Sequence, residues 1–384
     1  MDTAPSVAEA TNVQATKVQA TRKIRVGVIG AGNWASHGHL RVLALLPEYE
    51  VVAIQARRQE AAATAAEKFG IGTVVDTIDE LLALPDVDLV LVLNTAPQHA
   101  DTVRAVIAAG KHVYCEWPLT VSTGVAEELL HLARQAGVRH VVGLQRRLAP
   151  HNRYVRDLIA NGYVGQLRSV RMHVSMNYFQ ATMPRALAWT IPPENFSHVV
   201  SIYAGHFLDM LFQSVGKPAS LSALMVNQFK EVTIRETGEV LRTTTPDQLV
   251  LAAELEGDAV LSVHIEGGKR NGSGVQIDIT GTEGDLRVTN ASAFGDVGDD
   301  YILEGAHGDN LPLTRLDIPA SYDWLPPSPL PSAVLELANL YAAFARGDEG
   351  MDGAPTFEDA VWLHRLFDAF ELSSGKGIRV PVDA

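Results

Sequence analysis

A glycine-containing turn is the first feature of this sequence whose residue types and spacing suggest chemistry. Gly30 and Gly32 follow the apolar segment 26–29 and precede Asn33 and Trp34. Such a turn presents backbone N–H groups at the start of the next helix, where the helix dipole favours a phosphate. Because the turn lies between a predicted strand and a predicted helix, we expect these four residues to contact a dinucleotide.

Two adjacent arginines follow the second predicted strand, where an NAD-binding protein usually carries an acidic residue. Here Ala56 occupies that position, and Arg57 and Arg58 come directly after it. A carboxylate would accept the ribose hydroxyls of NAD, whereas two guanidinium groups can hold a 2′-phosphate. We therefore expect NADP in preference to NAD. The alternative is that both arginines are solvated surface charges.

These residues are positioned by a regular alternation of predicted strands and helices. The strands are expected at 24–30, 51–55, 73–75, 89–93, 111–115 and 138–143, with helices at 35–46, 59–69, 78–84, 98–109 and 121–136. The alternation predicts an α/β Rossmann domain with a doubly wound parallel sheet over residues 23–145. Residues 1–22 repeat the tetrapeptide Val-Gln-Ala-Thr and are expected to form a disordered tail.

The second half of the chain has a different pattern. Segments rich in β-type residues occur at 166–177, 219–229, 248–256, 259–268, 274–281 and 284–289, with helices expected at 151–161, 203–214, 331–345 and 356–373. This pattern predicts an α+β domain over residues 146–384, with a large open-faced and mainly antiparallel sheet.

Several short motifs together resemble one family. In chain order they are Asn94-Thr95-Ala96-Pro97-Gln98-His99, Gly110-Lys111-His112-Val113, Cys115-Glu116-Trp117-Pro118, Gly205-His206-x-x-Asp209 and Gly281-Thr282-x-Gly284. With the glycine turn they resemble the glucose–fructose oxidoreductase / inositol dehydrogenase / rhizopine-catabolism (Gfo/Idh/MocA) superfamily. Three further motifs are most similar to the branch that contains a yeast galactose-regulon repressor, which binds a dinucleotide and acts through protein contacts. They are Leu144-Gln145-x-Arg147-x-x-Pro150, Ile159-x-x-Gly162-Tyr163-x-Gly165 and Leu363-His364-Arg365-Leu366.

The resemblance implies a catalytic site in the cleft between the two domains, but two of its three expected residues are changed. Catalytic members carry a lysine where this chain has Trp117 and an aspartate where it has Ile202, whereas His206 matches the family histidine. Indole N–H groups donate hydrogen bonds without titrating, and isoleucine has no polar group. His206 therefore remains as the candidate acid–base residue. A packing role is the alternative for both Trp117 and His206.

Other side chains are expected in the cleft by their position at strand ends or beside the family site. On the cofactor side they are Asn94, His99, Glu116, Trp117 and Gln145, and on the substrate side Trp117, Tyr178, His198 and Tyr203. No motif distinguishes the tyrosines or His198 from packing residues.

Composition limits the classes of partner. The formal net charge of −14 and the pI near 5.4 argue against a nucleic-acid partner. The single cysteine excludes an internal disulfide and a cysteine-based zinc site, and no histidine cluster predicts a metal. No apolar segment reaches membrane-spanning length and no secretory signal is visible, so a cytoplasmic protein is expected.

Two functions are compatible with these observations. The first is an NAD(P)-dependent oxidoreductase that acts on a sugar or a sugar-like polyol, as most members of the superfamily do. The second is a non-catalytic dinucleotide-binding sensor or transcriptional co-regulator that contacts a regulatory protein, which the missing lysine and aspartate favour. In either case the exposed face of the second sheet predicts a homodimer or homotetramer.

Overall fold

The computed structural model describes residues 22–178, 180–272, 274–293 and 301–382 of the 384-residue chain. Two large sheets dominate these residues, one parallel and one mainly antiparallel. The tail predicted over residues 1–22 lies outside the described residues, apart from Arg22.

The first sheet has six parallel strands. They are β1 Ile24–Ile29, β2 Tyr49–Gln55, β3 Thr73–Val75, β4 Leu89–Val92, β5 His112–Cys115 and β6 His140–Val142. Their order in the sheet is β3-β2-β1-β4-β5-β6, so the strand order reverses between β1 and β4. This is the order of dinucleotide-binding sheets, and ligands bind at such a switch point. The predicted doubly wound parallel sheet is confirmed.

Helices connect these strands. They are α1 Leu40–Leu45, α2 Gln59–Phe69, α3 Ile78–Leu82, α4 Ala96–Ala108 and α5 Thr123–Ala136. A π-helical segment, Ala35–His39, precedes α1, so the helix predicted over 35–46 begins with wider turns than expected. Such segments occur frequently at functional sites. This one comes directly after the glycine turn.

The second half contributes the remaining strands. They are β7 Leu167–Ser175, β8 Thr182–Met183, β9 Ser220–Val226, β10 Glu231–Ile234, β11 Val240–Arg242, β12 Gln248–Glu254, β13 Val260–Glu266, β14 Gly274–Gly281, β15 Gly284–Asn290, β16 Ile302–His307, β17 Thr314–Arg315 and β18 Val380–Pro381. Nine of them form a sheet in the order β17-β16-β15-β14-β7-β13-β12-β9-β18. Its neighbours are antiparallel except for the parallel pair β7 and β13.

One face of this large sheet is packed and the other is open. In β12 the side chains of Leu249 and Leu251 are buried, whereas Val250 between them is 44% exposed. This alternation is the period of a strand with one face against a core. The prediction of a large, open-faced and mainly antiparallel sheet is therefore confirmed.

A smaller sheet was not predicted. Strands β11, β10 and β8 form it in that order, around a core of Met183, Ile191, Val232 and Ile234. The three strands have between two and four residues. Segments this short show no alternation long enough to identify a strand from sequence.

The described part of the second half has four α-helices. They are α6 Pro150–Ala160, α7 Gly205–Val215, α8 Ser332–Arg346 and α9 Phe357–Lys376. Of these, α8 and α9 pack against the first sheet and its helices. Val334 and Leu337 of α8 share one hydrophobic core with Val26 and Val28 of β1. The boundary at residues 145–146 therefore stays a prediction, because the C-terminal helices pack on the N-terminal sheet. In the described parts of the chain, no helix combines the length and the hydropathy that crossing a membrane requires.

Candidate functional site

The glycine turn lies at the carboxyl end of β1, where the strand order reverses. Gly30 has φ +109°, and a Cβ at this position would lie 2.8 Å from the carbonyl group of Leu93. Gly30 is therefore required by both its conformation and the close approach of the chain after β4. The space around Gly32 is open, since an added Cβ there would meet nothing within 4 Å. Asn33 is exposed beside it.

A cavity of about 230 Å³ lies beside this turn. It is lined by Gly30, Ala31, Gly32, Ala56, Arg57, Arg58, Ala61, Leu93, Asn94, Thr95 and Gln98. Arg57 and Arg58 are exposed, and within the described residues neither guanidinium group has an ion-pair partner. The structure therefore brings both arginines to the same cavity as the glycine turn.

Two side chains after β4 and β6 keep a buried oxygen without a partner in the described structure. The Nδ2 group of Asn94 donates to Thr102 Oγ1 at 2.9 Å, but its Oδ1 atom has no hydrogen bond. The Oε1 atom of Gln145, which follows β6, is likewise unpartnered. A buried polar atom without a partner costs free energy, so these atoms are suited to a polar ligand.

His99 is placed differently from the sequence-based expectation. Its ring nitrogens lie 2.8 Å from the carbonyl oxygen of Pro118 and 2.9 Å from that of Asn94. The side chain is 1% exposed, and burial lowers its pKa. His99 therefore joins the loops after β4 and β5, and its nitrogens are occupied by the protein itself.

Glu116 follows β5 and receives three hydrogen bonds on one oxygen. Its Oε1 atom accepts from Trp34 Nε1 at 3.2 Å, from His39 Nε2 at 2.7 Å and from the Tyr114 hydroxyl at 2.7 Å. Burial alone would raise the pKa of Glu116, but the bonds from His39 and Tyr114 lower it below its usual value. Glu116 is therefore an ionised carboxylate at neutral pH. Sequence reasoning found Trp34 and Glu116 but missed His39 and Tyr114.

Trp117 lies in the packed interior instead of on the wall of an open pocket. It is 5% exposed, and its Nε1 group donates to the carbonyl oxygen of Ser201 at 2.8 Å. Its ring packs beside His364 and Phe367 of α9, at centroid distances of 5.1 and 6.0 Å. The indole N–H that could have held a substrate hydroxyl is thus already used by the protein.

His206 is the second residue of α7, and a π-helical segment, Val200–Ala204, comes directly before this helix. Its Nδ1 atom is buried and has no hydrogen-bond partner among the described residues. Burial, assisted by the nearby Arg146 guanidinium and opposed by Glu116, lowers the pKa of His206 to about 4. His206 is therefore neutral at pH 7, with one nitrogen able to accept a proton.

Arg146 is a buried cation near His206 that the sequence did not identify. It donates to the Tyr301 hydroxyl at 3.0 Å and to the Ala293 carbonyl oxygen at 2.9 Å. Its guanidinium carbon lies 4.4 Å from the ring centroid of Phe207, the neighbour of His206. An ion pair at 3.7 Å joins it to Glu336 of α8.

The three remaining predicted residues do not share one environment. Tyr203 lies in the π-helical segment before His206, and its ring is 6.5 Å from that of Tyr178, which is 48% exposed. His198 is buried and accepts a hydrogen bond at Nδ1 from the Ser201 backbone at 3.4 Å. It lines a separate cavity of about 30 Å³ that also includes Asp247. The structure thus groups the tyrosines near His206 and places His198 against another cavity.

The comparisons with known proteins match the two halves of the chain to two family models. Residues 24–144 match the GFO/IDH/MocA oxidoreductase family with an NAD-binding Rossmann fold, and residues 150–290 match the C-terminal domain of Gal80p.

The relatives and solved structures that resemble this chain include both Gal80 regulatory proteins and oxidoreductases. The galactose/lactose metabolism regulatory protein GAL80 of Kluyveromyces lactis is 26% identical over 303 residues, which are 72% of this chain and 66% of the relative. A dTDP-3,4-didehydro-2,6-dideoxy-alpha-D-glucose 3-reductase of Actinomadura kijaniata is 34% identical over 190 residues, 49% of this chain and 52% of the relative. The structure of levoglucosan dehydrogenase with NADH and L-sorbose superposes with a TM-score of 0.81 at 21% identity, covering 94% of this chain and 99% of that one. This last likeness shows the shared fold.

Proposed function

We propose that this chain is an NAD(P)-dependent oxidoreductase acting on a sugar or sugar-like polyol, because residues 24–144 match the GFO/IDH/MocA oxidoreductase family and residues 150–290 match the C-terminal domain of Gal80p. The observation that carries this proposal is His206, whose buried Nδ1 atom has no partner in the described structure and whose ring is neutral at pH 7.

The residues present fit a dinucleotide across the carboxyl ends of the first sheet. Gly30 and Gly32 leave the backbone accessible to a pyrophosphate at the start of the π-helical segment and α1. Asn94, Glu116 and Gln145 follow β4, β5 and β6, the strands of the second mononucleotide-binding half. The unpartnered Asn94 Oδ1 and Gln145 Oε1 atoms are suited to accept hydrogen bonds from a nicotinamide carboxamide or ribose.

NADP is the preferred cofactor in this proposal. Arg57 and Arg58 line the cavity beside the glycine turn, and the preceding residue is Ala56 instead of a carboxylate. Two guanidinium groups without ion-pair partners in the described structure can form charge-assisted bonds with a 2′-phosphate. The missing carboxylate removes the group that would repel this phosphate.

A sugar-like substrate is supported by the names of the relatives. The Actinomadura kijaniata relative is a reductase of a dTDP-linked deoxysugar, and levoglucosan dehydrogenase was solved with L-sorbose. Tyr178 and Tyr203, whose rings lie 6.5 Å apart, offer aromatic surface beside His206 of the kind on which a sugar ring can pack.

In the proposed mechanism His206 is the general base for oxidation of a secondary hydroxyl. The bound dinucleotide supplies the hydride acceptor for oxidation and the hydride donor for the reverse reaction. His206 Nδ1 takes the hydroxyl proton, and the nearby Arg146 cation favours the partial negative charge that develops on the substrate oxygen. Because the pKa of His206 is about 4, turnover limited by this base is retained to about pH 5 and lost near pH 4.

The test is hydride transfer by purified protein with NADP or NAD and a panel of aldoses, polyols and sugar acids. His206→Gln should lower kcat at least about 100-fold while leaving the dinucleotide Kd within about threefold, since general base catalysis contributes 10²–10⁴-fold. The exposed His131→Gln is the matched control and should retain full turnover. Unchanged turnover in His206→Gln would contradict the assignment of the base.

A non-catalytic dinucleotide sensor is the second candidate, and the packing of Trp117 favours it. This residue stands at the family lysine position, yet its N–H group is bonded to Ser201 and its ring is buried. The K. lactis relative is a metabolism regulatory protein. Dinucleotide binding without turnover on any substrate in the panel would favour this reading, and the protein partner would then be sought by affinity capture in the presence of NADP.

A further inference from the structure

The carboxylate of Glu116 is held by a set of donors that belong to distant parts of the chain. His39, which donates to Oε1 through Nε2, has its Nδ1 atom 2.7 Å from the hydroxyl of Tyr341 on α8. The ring of Tyr341 stacks on that of Tyr114, the second donor, at 5.4 Å. Trp34, the third donor, meets the His39 ring edge-on at 5.8 Å. One carboxylate oxygen is therefore fixed by three donors that are themselves held in place.

The other oxygen of Glu116 is unengaged. Within the described residues Oε2 has no hydrogen-bond partner, and the side chain is 17% exposed. A Cβ at Gly143 would lie 2.9 Å from Oε2 and 2.6 Å from the Tyr114 hydroxyl. Glycine at this position therefore leaves room for the carboxylate in its bonded orientation.

This oxygen lies at the carboxyl end of β5, between Asn94 after β4 and Gln145 after β6. Those strand ends form the second mononucleotide-binding half of the sheet, since the glycine turn and the two arginines belong to the first half. We propose that Glu116 makes this site select the oxidised, cationic nicotinamide over the neutral reduced form. The inference rests on the dinucleotide binding proposed above but not on turnover.

The physical reason is the charge difference between the two forms of the ring. The oxidised nicotinamide carries one positive charge, and the reduced ring carries none. A fixed carboxylate in a partly buried site attracts the first more strongly than it would in water. Arg146, the buried cation near His206, pairs with Glu336 at 3.7 Å. The described ion-pair partner of Glu116 is His39 at 2.7 Å, which carries a charge only when it is protonated.

The experiment compares the dissociation constants of NADP⁺ and NADPH for the full chain and three variants by calorimetry. In Glu116→Gln the amide oxygen can accept from the same three donors, so the charge is removed and the shape is kept. The ratio of the NADPH to the NADP⁺ dissociation constant should fall about tenfold, with NADPH binding changed less than threefold. A tenfold change in this ratio corresponds to about 30 mV in the potential of the bound two-electron couple.

Two controls separate charge from packing. Tyr114→Phe removes one donor to Glu116 but keeps the carboxylate, and Glu256→Gln removes a charge from the exposed turn between β12 and β13. Glu256→Gln should leave the ratio within about twofold of that of the unmodified chain, and Tyr114→Phe should lower the ratio less than Glu116→Gln does, because the charge is kept. A ratio unmoved by Glu116→Gln, or one lowered equally by Glu256→Gln, overturns the inference.

The two proposals also fail in distinguishable ways. If the unmodified chain binds neither NADP⁺ nor NADPH, the proposed function fails. If it binds both and the ratio does not respond to residue 116, only the role of Glu116 fails.

Discussion

At the scale of single residues, a side chain is available to a ligand only when its polar atoms are not already bonded within the protein. Asn94 and Gln145 each keep a buried oxygen without a partner in the described structure. Trp117 and His99 do not, because Ser201 and the carbonyl groups of Pro118 and Asn94 occupy their nitrogens. Asn94 and Gln145 are therefore available to a ligand, whereas Trp117 and His99 stabilise the structure of the site.

The two arginines beside the glycine turn give the first prediction. The double substitution Arg57→Gln and Arg58→Gln should raise the Kd of NADP⁺ about 10- to 100-fold, because a hydrogen bond to a charged group contributes about 1.5–3 kcal/mol. The Kd of NAD⁺ should change less than about threefold. Titration calorimetry with both cofactors measures the two effects. The paired substitutions Arg168→Gln and Arg270→Gln, at exposed positions of the second half, provide the charge-matched control. Equal losses for NADP⁺ and NAD⁺ would show that the arginines do not recognise the 2′-phosphate.

His364 gives a prediction on pH and stability. It is 1% exposed, its Nε2 atom has no partner in the described structure, and burial lowers its pKa to about 3. The unfolded chain takes up the proton near pH 6.5 and the folded chain does not, so stability is lost as the pH falls below 6.5. Between pH 7 and pH 5 this one group should cost about 2 kcal/mol of unfolding free energy.

The measurement is urea unfolding of the unmodified chain and of His364→Phe at both pH values. The variant should lose about 2 kcal/mol less than the unmodified chain on acidification. His131→Phe, at an exposed position of α5, is the matched control. An identical pH dependence for the unmodified chain and His364→Phe would show that the buried imidazole is already protonated in the folded state.

At the scale of elements, the start of α7 packs closely against Trp117. A Cβ at Gly205, the first residue of α7, would lie 2.2 Å from Trp117 Nε1. The helix can therefore approach the end of β5 only where it carries glycine. This close contact fixes the indole against Ser201 and places the next residue, His206, at the site.

Gly205→Ala should accordingly destabilise the protein by about 1–3 kcal/mol, the usual cost of forcing an extra methyl group into a packed core. The emission of Trp117 should change with it, because its N–H bond to Ser201 cannot survive the displacement. Gly124→Ala is the matched control, since an added Cβ in α5 meets nothing within 4 Å and should be neutral or stabilising. Chemical unfolding followed by fluorescence tests both variants, and equal stability for the two would contradict the predicted clash.

The elements differ in how far sequence alone could predict them. The β/α alternation is local, so the strands and helices of the first sheet could be predicted to within a few residues, and with them the edge that carries Asn94, Glu116 and Gln145. The bonds that set each side chain's role are not local. His39 and Tyr341 are 302 residues apart, and Trp117 and Ser201 are 84 apart. The hydrophobic periodicity of a sequence is a local pattern, so it does not indicate which distant residues are in contact.

At the scale of the whole molecule, the open face of the large sheet presents a continuous row of paired positions. Leu224 lies opposite Val250, Val250 opposite His264, and His264 opposite His173 on four adjacent strands. Leu224 and Val250 are 53% and 44% exposed, and the two histidine rings stack at 5.3 Å. Exposed apolar side chains on an uncovered sheet face are typical of a surface that pairs with a second copy.

Association through this face gives the last prediction, because a two-fold contact buries the same surface of both copies. Val250→Lys would place two ammonium groups in that contact, so the protein should shift from dimer or tetramer to monomer. Sedimentation analysis measures the mass, and Val74→Lys, at a 40% exposed position of β3 in the other sheet, should keep the mass of the unmodified chain. Dinucleotide affinity should be unchanged in both variants, because Val250 belongs to a different sheet from the glycine turn. A Val250→Lys variant with the unmodified mass would assign the interface to another surface.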